Sequence, residues 1–112
     1  MRLPKNDARY AWTHHAILKM QQYGIGEGRI KRIIRYPKRT EESVAGPGTV
    51  AVMQPAGTKR YQEMWVMYKV AQGRANPKAK QLLIITAWRY PGESPARDPV
   101  PKEVMDEVRT LL

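Results

Sequence analysis

At Pro37 the spacing of apolar residues changes period, and that change decides the class of fold. Before it, apolar positions recur every three or four residues, the period of a helix. After it they alternate, the period of a strand. In "WTHHAILKMQQYGI" Thr13 is a suitable N-cap, and Ala16, Ile17, Met20 and Gly24 follow at helical spacing, with Leu18 widening the stripe. Gly24 ends that helix. In "EGRIKRIIRYP" Ile30, Ile33 and Ile34 share one face, Lys31, Arg32 and Arg35 fall largely on the other, and Pro37 stops the run. The spacing predicts helices over about 14–23 and 27–35, joined by a tight corner at Gly24 to Gly26.

Beyond Pro37, "RTEESVAGPGTVAVMQP" contains two extended runs around a hairpin turn at Gly46-Pro47-Gly48. "RYQEMWVMYKVA" alternates. Met64, Val66, Tyr68 and Val70 share one side; Tyr61, Glu63, Trp65, Met67 and Lys69 share the other. After the polar turn "QGRANPKAK", the apolar "QLLIITAWRY" has β-branched residues at its middle and reads as a central strand. Four strands with hairpin-length connections form an antiparallel meander. The expected class is α+β: two N-terminal helices packed on a four-stranded antiparallel meander sheet, plus a C-terminal amphipathic helix. "PGESPARDPVP" is a rigid, irregular connector over 91–100. In "PKEVMDEVRTLL", residues 101–112, Val104, Met105, Val108, Leu111 and Leu112 share a face that either docks on the domain or packs on another chain. The 112 residues suit one domain, with its core over about 12–90.

Twenty Lys and Arg against ten Asp and Glu give a net charge of +10. A compact domain with that excess attracts polyanions, and RNA or DNA is the leading partner class. Without Cys, disulfides and Cys-based metal sites are excluded, and a reducing cytoplasm is compatible. No run of apolar residues is long enough to span a membrane. The opening "MRLPKNDARY" lacks the apolar core of a signal peptide.

The two histidines, His14 and His15, fall in the first turn of the first helix. The helix dipole there depresses an imidazole's pKa and favours the neutral form that acts as a base. They are equally well read as polar residues at a helix end. Adjacent histidines on a helix point about 100° apart, and no acidic cluster accompanies them, so no metal site is expected. No phosphate-loop, dinucleotide or nucleophile-elbow motif is present, and "GIGEG" belongs to the helix corner. The basic residues fall into groups. Lys31, Arg32, Arg35, Lys38 and Arg39 follow the second helix into the first strand. Lys59 and Arg60 precede the third strand. Arg74, Lys78 and Lys80 lie in the next turn, and Arg89 ends the last strand between Trp88 and Tyr90. Trp65 and Trp88 either stack on bases while arginines hold phosphate, or cover a sheet face beneath the C-terminal helix.

His15-Ala16, Met20, Tyr23-Gly24-Ile25, Ile30, Ile33 and Pro37 resemble the "HA…RM…RGI…I…P" opening of a bacterial domain family of unknown function related to RelE and BrnT toxins, in the barnase–EndoU–colicin–RelE fold group. "LLIITAWR" looks like the final strand of such proteins, so the resemblance covers about residues 12–90. Tyr23 stands where that family usually has Arg, and Gly26 where a capping Ser is common. The resemblance implies metal-independent, cofactor-free RNA cleavage by attack of a ribose 2′-hydroxyl, in the manner of a toxin endoribonuclease. On that basis His15 would be the base or acid and Arg89 the phosphate holder, with Arg60, Lys69 and Tyr90 as further candidates. Lys31, Arg32, Arg35, Arg39, Arg74, Trp65 and Trp88 would bind the nucleic acid. The implied partners are RNA, with or without the ribosome, and an acidic antitoxin. The alternatives are a non-catalytic nucleic-acid-binding module and a protein-interaction domain assembled through the last helix.

Overall fold

The computed structural model describes residues 3–42, 44–72 and 80–111. In chain order the elements are β1 (Tyr10–Trp12), α1 (His14–Tyr23), α2 (Glu27–Arg35), β2 (Arg39–Glu42), β3 (Thr49–Ala56), β4 (Gln62–Gln72), β5 (Lys80–Pro91) and α3 (Lys102–Arg109). The strands form one sheet in the order β1-β5-β4-β3-β2. β2 to β5 are the expected antiparallel meander. The sheet nevertheless has five strands and is mixed, because β1 pairs parallel to β5, with Tyr10 opposite Leu82 and Trp12 opposite Ile84. The apolar run "QLLIITAWRY" thereby lies inside the sheet, as its composition requires.

The alternation read in β4 holds. Met64 and Val66 are buried against α1 and α2, with Tyr68 packed beside them, while Trp65 and Met67 face the other way. In β5 the pairing with β4 shifts by one residue. Met67 pairs with Thr86 but Tyr68 pairs with Ile84, leaving Ile85 as an extra, bulged residue. Ile84 and Ala87 consequently share the α1–α2 side, and Ile85 and Trp88 share the other.

Two cores result. Ala16, Met20, Ile25, Ile30 and Ile33 fill the first beneath α1 and α2. α3 covers the second by placing Val104 and Val108 over Trp65 and Trp88, with Val100 of the connector beside them. α3 therefore docks in cis. Leu18, counted above in the buried stripe, is largely exposed. It sits two residues from both Ala16 and Met20, about 200° around the helix from each. The first helix is capped as expected: Thr13 Oγ1 accepts from the Ala16 N–H at 3.0 Å, and Gly24 closes the helix at φ 66°. Of the polar segment read as the β4–β5 turn, residues 73–79, including Arg74 and Lys78, lie outside the described residues. Among the described residues, no helix is long and apolar enough to cross a membrane.

Candidate nucleic-acid interface

α2 lays Ile30 and Ile33 into the core, and the helical period then turns Gly28, Lys31, Arg32 and Arg35 toward solvent. With Tyr36 they line a shallow hollow of about 290 Å³. Lys31 is partly committed: its ammonium lies 3.3 Å from Glu27 and 4.9 Å from the centre of the Tyr10 ring. Arg32 and Arg35 are exposed, and among the described residues neither has a carboxylate within ion-pair distance. Tyr36 is 66% exposed, although its backbone is held firmly. Its N–H donates to the Arg32 carbonyl at 2.9 Å. The Gln54 amide donates to the carbonyls of both Tyr36 (2.9 Å) and Arg32 (3.1 Å). Lys38 continues the surface, with its ammonium 5.9 Å from the Tyr61 ring, and Lys59 and Arg60 are exposed just before Tyr61.

Two groups of expected contact residues are placed elsewhere. Trp65 and Trp88 are 0% and 1% exposed and form a cross-strand stack, their rings 5.8 Å apart and 3° from parallel. They cannot meet a base while α3 lies over them, which corrects the stacking role and leaves them as the covered sheet face. Arg39 is committed to the fold. Its guanidinium donates to the carbonyls of Ser94 (3.1 Å) and Pro95 (3.0 Å) and to Ser94 Oγ (2.8 Å). It also lies 3.4 Å from Glu41, 3.7 Å from Glu63 and 5.0 Å from the centre of the Trp65 ring.

The residues named for catalysis do not converge. His15 turns toward α3, with Nε2 3.2 Å from Glu107 Oε2 but without the alignment of a hydrogen bond, and Lys19 Nζ lies 3.1 Å from the same carboxylate. Burial depresses the His15 pKa, the neighbouring Lys19 adds to that, and the Glu107 carboxylate only partly offsets them. The balance favours the neutral imidazole. Arg89 lies at the other end of α1, about 12 Å away along the helix axis. There its Nε donates to the Tyr23 carbonyl at 3.0 Å, closing the end of α1. Tyr90, the next residue in β5, faces the α3 side of the sheet. Arg60 and Lys69 flank most of β4, nine residues or about 30 Å apart.

Sequence reasoning missed Tyr36, which reads only as the end of a helix before Pro37. It also missed the part Gly28 takes in the hollow; Gly28 lies four and seven residues before Arg32 and Arg35, on the same helical face, and that spacing was the available signal. Glu107, which no sequence motif marks, was missed as well. Among the described residues, no three of His, Asp and Glu gather closely enough to hold a metal ion. Comparison with known proteins returns nothing: no family model matches the chain, and no curated protein or solved structure is significantly similar to it.

Proposed function

We propose that this chain is a nucleic-acid-binding module that grips a phosphate backbone with the outer face of α2. The reading rests chiefly on one observation. Residues 28–39 contain six bases and no acid, and within them Arg32 and Arg35 stand in solvent without an ion pair among the described residues. Unpaired guanidiniums on a rigid helix are preorganised for phosphate oxygens. The test is RNA binding followed by fluorescence anisotropy over a range of salt. Replacing both Arg32 and Arg35 by Ala should weaken binding and flatten the dependence of log K on log salt by about 0.7 per lost phosphate contact. Replacing Lys69, on the opposite face of the sheet, should do neither. Equal losses from both variants would reduce the interface to a diffuse positive charge.

A toxin-like ribonuclease is the second reading, and the His15–Glu107 contact favours it. Nε2 is buried against the carboxylate, so Nδ1 is the nitrogen left to take a proton from a 2′-hydroxyl, with Lys19 at hand. Arg89 would then be a helix-closing residue, not the phosphate holder. Incubation of RNA with the protein in chelator decides the matter: 2′,3′-cyclic phosphate ends that vanish in His15→Ala support cleavage, and intact RNA leaves binding alone.

A further inference from the structure

The hollow on α2 contains two features that phosphate binding does not require. The first is Tyr36, a large ring left in solvent on a backbone whose N–H and carbonyl are each held by a hydrogen bond. The second is Gly28, in the first turn of α2. Its backbone is not in the left-handed region, and a Cβ there would meet nothing within 4 Å. Neither conformation nor packing calls for a glycine at this position, and nearly any other residue would suit the helix better. What its missing side chain does is leave the hollow open beneath Arg32 and Arg35.

We infer that the hollow seats one unpaired nucleobase against the Tyr36 ring, between phosphates held by Arg32 and Arg35, so that the ligand is single-stranded nucleic acid. The inference deepens the binding function proposed above and rests on it. At about 290 Å³ the space lies at the small end of ligand pockets, a size that suits a single base. A base in a duplex offers no free face to stack on, whereas an unpaired one does. Fixing the Tyr36 backbone removes ordering entropy that a mobile ring would lose on binding.

The experiment compares three probes: a short unstructured RNA strand, the same strand annealed to its complement, and inorganic polyphosphate, which has charge but no bases. The wild-type protein should prefer the single strand. Tyr36→Ala and Gly28→Leu should each lose about tenfold in single-strand affinity, with polyphosphate binding and salt dependence unchanged, and Tyr36→Trp should keep the affinity. Variants that bind the single strand like the wild type, or a wild type that binds duplex equally well, overturn the base seat while leaving the phosphate-binding reading intact. Failure of the wild-type protein to bind all three probes overturns both, as would selective binding of an acidic peptide in their place.

Discussion

Glu63 shows how much a single buried group can organise. It is the one fully buried ionisable residue among those described, at 0% exposure. Oε1 accepts from Trp65 Nε1 (3.0 Å), the Ser94 N–H (3.1 Å) and Ser94 Oγ (2.5 Å), and Oε2 accepts from the Tyr61 hydroxyl (3.0 Å). Burial alone would raise its pKa, but the donors from Ser94, Trp65 and Tyr61 outweigh that, and the carboxyl lies below its usual range. A depressed carboxyl stabilises the fold above the unfolded-state pKa, and that contribution is lost as pH falls through the folded value. Glu63→Gln should cost about 1–3 kcal/mol at neutral pH, since the amide gives up the charge that strengthens these hydrogen bonds and sets N–H groups toward the Arg39 guanidinium. In urea titrations the variant should also lose less stability than the wild type on acidification; parallel curves would refute this role. Glycines give a second contrast at this scale. Gly57 has φ 91°, and a Cβ there would lie 2.3 Å from the Arg60 carbonyl oxygen, so Gly57→Ala should cost more than about 1 kcal/mol. Gly28→Ala should raise stability, by up to about 1 kcal/mol, in the same urea titrations.

Among the elements, α3 is the one whose attachment can be apportioned. Its polar link, Glu107 to Lys19 and His15, is more than a third exposed on the Glu107 side and is worth roughly 0–1 kcal/mol. Val104 and Val108 are buried over the tryptophan stack, and burying each side chain contributes about 1.5–3 kcal/mol. Val108→Ala should therefore lower the melting temperature clearly and shift tryptophan emission to the red, while Glu107→Ala should barely change either. How legible the elements were follows from the same physics. β4, α1 and α2 announce themselves because each has a period long enough to detect, and β5 announces itself by its apolar, β-branched run. β1 has only three residues and no period. It exists because β5 offers a free edge, and because Asn6 and Asp7 side chains accept from the N–H groups of Trp12, Tyr10 and Arg9 at 2.7–2.8 Å. The Tyr10 N–H first, and then the Arg9 N–H, hold the Asp7 carboxyl below its usual value. The basic face of α2 was legible as a helical stripe. The fate of Trp65 and Trp88 was not, because alternation tells which face of a sheet a residue occupies and not whether a distant helix returns to cover that face.

Across the whole molecule the charge is polarised. Three of the ten acids, Glu103, Asp106 and Glu107, are on α3, one side of the sheet, while α2 on the other side presents Arg32 and Arg35 without acidic partners among the described residues. Such a stripe attracts a polyanion and, in its absence, repels itself. Stability and binding then respond in opposite directions to the same substitution. Replacing Arg32 and Arg35 together by Gln should raise stability at low salt by a few tenths of a kcal/mol and weaken RNA binding. Near 0.1 M salt, where the screening length is about 10 Å, the stability gain should largely disappear. Saturating RNA should reverse the order of the two proteins. A ligand at about a hundred times its Kd adds about 2.7 kcal/mol to the fold it binds, far more than the relief of repulsion. Thermal melts of both proteins, with and without RNA and at two salt concentrations, measure all of these terms. If the variant were no more stable than the wild type at low salt, the arginines would not be repelling one another, and the reason for keeping them in solvent would have to lie elsewhere.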